Sequence, residues 1–526
     1  MNGRGSPVLK NINANTLLKA AMTQLLSASD EMQGRACPAL RLARRSIRRR
    51  HNDSAGGQGR AVKSLILMKF STVCSRALSA TGRAAMAATI PDEFIAAFNR
   101  VWQLPSGMDN NTILKSPEFL LLRNTADKLC YAKIKGSLVD PFLLRGLQKL
   151  GVPCLFPTSS PLAATDRSET AARCYEALMK RHAHHIYLCP LDCAGDIPQI
   201  KTANASIRRF SRSELEELLN SLPQQRLPGY APADTAGLSQ FLWLVVSHDE
   251  ALCAEFADRY WFWNANKEIP GTVYPYKYHY PEAVEGAIFL LLLAIWEEWQ
   301  LNEEYHWRPF DIPWVHTLSD DIFGQQPPIP SAASLTWVPY TYQDENTDWQ
   351  EYEAPYEYNY SLTSDQLIPF VDTPVFERLE KAITNGLINV AARHQFVKAF
   401  RSDGVDEFLA HIVVIDACVG EKSVNRALEK ELKELGGTGR LKHRLAGLLN
   451  DASVKEKLHV LYEARSNYVH GNTLEKIPGE HILQARILAR KTLNAIITEA
   501  GQSPGLKRDE FLDNVLRRGW KLTQGG

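Results

Sequence analysis

The chain is organised around the string LYEARSNYVHG at residues 461–471, which places an arginine and a histidine at the end of a predicted helix. Ser453 is the expected N-cap of that helix, and Glu456 three residues later completes a capping box that satisfies amide groups of the first turn. Gly471 follows the last helical residue, where a left-handed backbone is least strained for glycine. These signals predict a helix over residues 454–470.

Apolar side chains and one arginine share a face of this predicted helix. The face is formed, at helical spacing, by Leu458, Leu461, Tyr462, Arg465 and Val469. An unpaired charge buried on such a face costs on the order of several kcal/mol. We therefore expect Arg465 to have an anionic ligand, or a facing helix with hydrogen-bond acceptors, as its partner.

The same string resembles the signature of Apea-like HEPN domains, prokaryotic helical domains in which an arginine followed a few residues later by a histidine marks a ribonuclease site. Residues 408–418 resemble the early helix of that family with an internal acidic residue, here Asp416. Residues 441–449 resemble its arginine-bearing helix, here with Arg444. The resemblance covers the last third of the chain. The sequence differs from the family at Ser466, where catalytic members often carry Asn, Asp or His, and at Asp416, where glutamate is commoner.

The resemblance implies two catalytic residues and four supporting polar groups. The catalytic pair is Arg465 and His470, and the supporting groups are Ser466, Asn467, Asp416 and Arg444. It further implies a metal-independent endoribonuclease without a cofactor, an RNA substrate, and a homodimer in which two motifs face one cleft. An anti-phage or abortive-infection role, a phage-derived trigger and a cytoplasmic location follow from the same resemblance.

The two residue types suit the cleavage of RNA by its own 2′-hydroxyl. Histidine suits proton transfer because its unperturbed pKa lies near ~6.5, and arginine suits the phosphate because its fork of donors matches the oxygens. Each such role is typically worth about 100- to 10,000-fold in rate. We therefore expect His470 to act as the acid or base and Arg465 to bind the phosphate.

Helix geometry limits how the pair can meet. At about 3.6 residues per turn, Arg465 and His470 lie about 140° apart on a straight helix. They converge if the long arginine bends round, if the helix unwinds before Gly471, or if a second protomer supplies the partner group. The resemblance favours the second protomer.

Three other interpretations stay open. Arg465 could pair structurally with Asp416, while His470 merely occupies a helix end. The region could also be a non-catalytic HEPN module that binds RNA or a protein partner. In the third interpretation, the helical domain is a scaffold that only dimerises.

Composition describes an ordinary globular protein with two or more domains, since the chain has 526 residues, 45% of them hydrophobic and 23% charged. The net charge of +1 gives no global attraction to nucleic acid. Nine scattered cysteines indicate reduced thiols in the cytosol. The apolar run at residues 286–296 is shorter than the roughly 20 residues a bilayer needs, so no transmembrane span is expected and a buried core helix is predicted.

Three regions follow one another along the chain. Residues 1–85 carry an excess of about a dozen positive charges. They could be a nucleic-acid arm, a transit peptide, or sequence upstream of a true start at Met68 or Met86, and a disordered or artefactual leader is favoured. Residues 86–371 read as a mixed α/β region, whose sensor or regulatory role rests on analogy. Residues 372–526 read as an α-helical HEPN domain, so the predicted fold class is α+β.

Local patterns predict the following elements. In the mixed region we expect helices from Ile90 to Trp102, over 142–150 and over 212–219, the last with a capping box from Ser211 to Glu214. Strands are expected at 185–192 and 207–210. A hairpin or a pair of edge strands is expected from 340–342 and 356–360, which flank an acidic turn at 344–345. Helices are then expected at about 375–400, 405–418, 423–434, 440–450, 454–470 and 480–499.

Three other sequence features resemble binding sites, but a structural explanation is favoured for each. His182, His184 and His185, followed by Cys189 and Cys193, invite a zinc site, but neighbouring strand residues point to opposite faces and the cysteine spacing is wrong, so a surface histidine cluster is favoured. The aromatic run at 260–263 could stack bases, although a core role is favoured. The glycine-rich segment 436–439 lacks the order of a phosphate-binding loop and reads as a helix–helix connection.

Overall fold

The computed structural model describes residues 89–136, 139–195, 197–202, 204–256, 271–277, 279–294, 308–324, 326–343, 348–357, 373–420, 432, 435–471, 477–503 and 505–524. Several predicted features lie outside the described residues. They are the basic segment 1–85 with both alternative start sites, the aromatic run 260–263, the acidic turn 344–345, and nearly all of the helix expected at 423–434.

The described chain begins with five helices that bury a core of their own. These helices are α1 (Asp92–Trp102), α2 (Asn110–Lys115), α3 (Pro117–Leu129), α4 (Asp140–Leu150) and α5 (Arg167–Met179). Phe94 and Phe98 lie one turn apart on α1 and are completely buried, as is Leu147 on α4. The helices expected at 90–102 and 142–150 are confirmed.

A six-stranded antiparallel sheet follows, with the strand order β2-β3-β4-β1-β6-β5. Its strands are β1 (His182–Leu191), β2 (Ile200–Lys201), β3 (Ala205–Arg209), β4 (Leu242–Ala251), β5 (Thr272–Val273) and β6 (Val315–Ser319). Strand β1 pairs along its whole length with β4, in a register from His182 opposite Ala251 to Leu191 opposite Leu242. The strands predicted at 185–192 and 207–210 correspond to β1 and β3.

Both faces of the sheet are covered. On one face, Leu188 and Trp243 pack against α6 (Arg212–Leu219) and α8 (Thr235–Leu238), which are connected through the short α7 (Leu222–Gln225). Helix α6 begins with the predicted capping box of Ser211 and Glu214. On the other face, Tyr187 and Cys189 join the largest core of the protein. The sheet is therefore the middle layer of the fold.

The apolar helix α9 (Glu282–Leu292) lies in that largest core. Its side chains from Ile288 to Leu292 are all buried, so the prediction of a buried core helix in this run is confirmed. Residues 295 and 296 of the run lie outside the described residues. Within the described ranges, no helix has both the length and the apolar character that crossing a membrane requires.

A separate two-stranded hairpin consists of β7 (Trp337–Gln343) and β8 (Trp349–Pro355). The predicted hairpin is confirmed, but its second strand was placed wrongly at 356–360. Gln343 pairs with Trp349, which leaves a short connection, whereas a strand at 356–360 would have required a much longer one. The amide of Tyr356 instead donates to the carbonyl oxygen of Thr336 (3.0 Å) where the strand pairing ends.

From residue 373 onward, the regular elements of the described chain are helices. They are α10 (Thr373–Thr384), α11 (Val390–Phe400), α12 (Gly404–Val419), α13 (Gly437–Leu449), α14 (Val454–Val469), α15 (Gly479–Gln502) and α16 (Arg508–Gln524). The single helix predicted over 375–400 is wrong, because Gly386 adopts a positive φ of 70° and Asn389 caps a second helix. Helix α16 was not predicted from the sequence. The fold as a whole is mixed α+β.

Candidate functional site

Helix α14 carries the sequence LYEARSNYV and is followed by His470 and Gly471. The N-terminal cap predicted for this helix is absent, whereas the predicted C-terminal glycine is confirmed. The predicted capping box is wrong, because Ser453 makes no side-chain bond to the helix amides. Its amide and hydroxyl both donate to Asp451 Oδ1, at 2.8 and 2.7 Å. At the other end Gly471 has a φ of 68°, as expected for a glycine that terminates a helix.

The apolar stripe of α14 is shorter than predicted. Leu458 and Leu461 are completely buried, but Val469 is 58% exposed. Positions four residues apart drift by about 40° around a helix, which carries the last turn away from the core. The prediction that Val469 belongs to the buried face is therefore wrong, and the last turn of α14 faces solvent.

Three side chains from α12 and α14 meet beneath that exposed turn. The Tyr462 hydroxyl donates a hydrogen bond to Asp416 Oδ1. The Arg465 guanidinium lies 5.8 Å from the centre of the Tyr462 ring. The Arg465 side chain is partly buried, so part of it contacts the Tyr462 ring and the rest is exposed to solvent. We call Asp416, Tyr462 and Arg465 the tyrosine cluster.

The pKa values of Asp416 and Tyr462 are both shifted in the tyrosine cluster. Burial raises the pKa of Asp416 above its ordinary value, although the hydrogen bond from Tyr462 and the positive charge of Arg465 oppose that shift. Burial and the neighbouring Asp416 carboxylate raise the pKa of Tyr462 as well. The tyrosine therefore remains a hydrogen-bond donor at neutral pH.

The predicted polar groups on the last turn are exposed. Ser466, Asn467 and His470 all face solvent. His470 is the C-cap, and its amide still donates to the Ser466 carbonyl oxygen (3.0 Å), so the helix does not unwind before Gly471. Because the helix stays regular, Arg465 and His470 remain well separated around its axis within one protomer.

Arg444, unlike the groups on the last turn of α14, is not exposed to solvent. It is completely buried in α13 and donates from Nη1 to the Val419 carbonyl oxygen (3.0 Å). Val419 is the last residue of α12, whose final turn carries Asp416. By this hydrogen bond to a backbone carbonyl, Arg444 stabilises the C-terminal end of α12, the helix that supplies the carboxylate of the tyrosine cluster.

A buried ion pair between α12 and α15 was missed by the sequence analysis. Arg486 donates from Nε and Nη2 to Glu407 Oε1, at 2.9 and 2.6 Å, and both residues are buried. Burial by itself would raise the pKa of Glu407, but His411 and Arg486 lower it below its ordinary value. The signal in the sequence was Glu407 and His411 one turn apart within a largely apolar helix.

The histidine cluster on β1 alternates as expected, since His184 is exposed and His185 is buried. His184 Nδ1 lies 2.8 Å from Asp249 Oδ1 on β4. Cys189 and Cys193 are buried. Among the residues that the structure describes, no group of three or more His, Cys, Asp or Glu side chains is arranged to hold a metal ion.

The fold and site define a mixed α+β protein in which the last turns of one C-terminal helix carry a partly buried arginine and an exposed histidine on different sides. No family model matches the sequence, and no curated protein or solved structure is similar enough to match it.

Proposed function

We propose that this protein is a metal-independent endoribonuclease that cleaves RNA with Arg465 and His470, in a C-terminal helical bundle of the HEPN type. One observation carries the proposal. The last turn of α14 offers an exposed imidazole at the C-cap, while the tyrosine cluster supports a partly exposed guanidinium one turn earlier. An imidazole can transfer protons and a guanidinium can bind phosphate oxygens, which are two functions that metal-free phosphodiester cleavage needs.

Each group has a defined chemical role in this proposal. His470 removes the proton of the RNA 2′-hydroxyl, whose oxygen attacks the neighbouring phosphorus. Arg465 binds the phosphate oxygens as negative charge develops on them. The bond from phosphorus to the 5′-oxygen breaks and that oxygen takes up a proton from water, which leaves a 2′,3′-cyclic phosphate and a 5′-hydroxyl. Ser466 and Asn467 lie exposed beside the pair and orient the nucleotide by hydrogen bonds.

The regular helix end favours a composite site across two copies of the chain. Since Arg465 and His470 point to different sides of α14, a homodimer that brings two α14 ends together would set the arginine of one copy beside the histidine of the other. In this proposal the sheet-containing part regulates the nuclease, and the biological setting is anti-phage defence in the cytoplasm with a phage-derived trigger.

The central test compares single substitutions in the full-length protein. Cells expressing the wild type should accumulate RNA ends that carry a cyclic phosphate, and His470→Ala should reduce them by at least about 100-fold. His459→Ala is the matched control, because His459 is a partly exposed histidine on the same helix and its Nε2 lies 3.3 Å from Glu463 Oε1. Equal RNA cleavage by the wild type and His470→Ala would refute the proposal.

A second prediction concerns the composite site. If each site takes Arg465 from one protomer and His470 from the other, co-expressing Arg465→Ala with His470→Ala will create heterodimers with one intact site. About a quarter of the wild-type activity should then return, because half of the randomly mixed dimers are heterodimers and each has one of two sites. If both groups act within one protomer, the mixture will stay as inactive as either variant alone.

A binding module without catalysis would give a different result. In that case wild type and His470→Ala would bind RNA equally in a mobility-shift assay, and neither would produce cyclic phosphate ends. Arg465→Ala would still weaken binding, because the guanidinium would contact phosphate in both cases.

A further inference from the structure

A cavity of about 400 Å³ lies between the sheet and the C-terminal helices, and none of its lining residues belongs to α14. Its sheet wall consists of apolar side chains from β3 and β4, namely Ile207, Leu244 and Val246. Its helical wall includes Phe289 of α9 and Leu379 of α10. All five of these side chains are buried, and the cavity volume falls in the range of roughly 300–1,000 Å³ that is typical of small-molecule sites.

Small residues on α9 leave this space open. Ala283, Gly286 and Ala287 all line the cavity. A methyl group added to Gly286 would meet no atom within 4 Å, so the helix backbone itself borders empty space there. A helix that packs closely against its neighbours would fill such a gap with a larger side chain.

Arg393 of α11 supplies a cationic group at the edge of the cavity. It lines both the cavity and an adjoining cleft of about 660 Å³, together with His248, Glu282, Ala283 and Gly286. Arg393 Nε is buried, and no acceptor for it exists among the described residues. The side chain as a whole is only partly buried and lines the cavity, so its guanidinium can meet a ligand oxygen at the cavity edge.

The charges near Arg393 restrict the ligand. Glu282 and Glu380 also line the cavity, and Glu380 is exposed. The exposed Glu380 carboxylate disfavours a nucleotide di- or triphosphate, whereas a single carboxylate could pair with the one guanidinium. We propose that the cavity binds a monocarboxylate amphiphile, with its apolar chain or ring between the sheet and α9 and its carboxylate on Arg393.

The test is calorimetric titration of the full-length protein with dodecanoate, and with dodecanol as the uncharged probe of equal chain length. Dodecanoate should bind in a one-to-one ratio and more tightly than dodecanol, by about tenfold. Arg393→Gln should remove that difference and leave dodecanol binding unchanged. Equal binding of the two probes by the wild type, or binding of several dodecanoate molecules without saturation, would overturn the proposal.

Two variants at one position test the location. Gly286→Leu should fill the cavity and abolish binding of both probes, whereas Gly286→Ala should retain binding because its methyl group meets open space. Circular dichroism and the melting temperature establish that both variants are folded. Ala287→Phe fills the cavity from the next residue if Gly286→Leu fails to fold. Dodecanoate binding that persists in a folded cavity-filling variant would place the ligand elsewhere and refute the site.

Discussion

His316 lies in strand β6, is almost completely buried, and has Nδ1 3.4 Å from Thr272 Oγ1. Burial lowers the pKa of this histidine from its ordinary value of 6.5 to about 4. The unfolded chain therefore takes up a proton at His316 at a higher pH than the folded chain does. The stabilisation from the neutral imidazole is complete above pH 6.5 and is lost as the pH falls through about 4.

We therefore expect acid to destabilise the wild type more than His316→Gln. The free energy of unfolding of the wild type should fall by up to about 3 kcal/mol more than that of the variant between neutral pH and the folded pKa. Urea unfolding of both proteins at a series of pH values gives the difference, in which contributions from other titrating groups cancel. Parallel pH profiles for the two proteins would contradict the assignment of this effect to His316.

At the same residue scale, local sequence predicted some contacts of the candidate site and missed others. Gly471 was predicted because a helix C-terminus requires a left-handed residue within the same few positions. The Ser453 cap failed because Asp451, two residues earlier, competes for the same hydroxyl. The contact between Tyr462 and Asp416 spans 46 residues, so no local pattern contains it. It arises from the packing of α14 on α12.

At the scale of elements, α13 and α16 cross closely because each contributes a glycine to the contact. A methyl group on Gly519 would overlap the His443 carbonyl oxygen, and one on Gly447 would overlap the Val515 carbonyl oxygen. The obstacles are backbone atoms of the facing helix, which cannot move aside as a flexible side chain can. The two helices therefore depend on these glycines for their separation.

Gly519→Ala should consequently destabilise the protein by about 3 kcal/mol, since the two helix backbones would have to separate. Gly437→Ala is the matched control, because Gly437 is also helical but its added methyl group would meet nothing within 4 Å. That control should be neutral or slightly stabilising. Denaturant unfolding of the two variants measures both effects, and similar stabilities for them would refute this account of the crossing.

Elements with strong periodicity of their own were predicted well, and their partners were not. Helix α12 was expected at 405–418 and runs over Gly404–Val419, because its apolar pattern is local. The strand β1 was also predicted, but its pairing with β4 and β6 joins segments far apart in the chain. Helix α16 was missed although Phe511, Leu512, Val515 and Leu516 are buried at helical spacing. Partner choice depends on the whole core, which no single window of sequence contains.

At the scale of the whole molecule, the predicted division at residue 372 passes through a continuous core. Phe289 of α9 lies edge-on to Phe396 of α11, with ring centres 5.9 Å apart. Asn494 of α15 donates from Nδ2 to the Leu293 carbonyl oxygen (3.2 Å). His394 Nδ1 lies 3.2 Å from Glu285 Oε2. Apolar packing and polar contacts thus both join the sheet-containing part to the C-terminal helices, within a unit that extends from Ile90.

This continuity predicts that the two parts unfold together. Residues 90–526 should melt in a single cooperative transition, at the temperature of the full-length chain. Residues 373–526 expressed alone should melt at a lower temperature and bind a hydrophobic dye, because the faces that contact α9 would be exposed to water. Calorimetry and dye fluorescence on both fragments make the comparison. A cooperative transition of the shorter fragment at the full-length temperature would instead establish residues 373–526 as an autonomous domain, since the contacts with α9 would then contribute nothing to its stability.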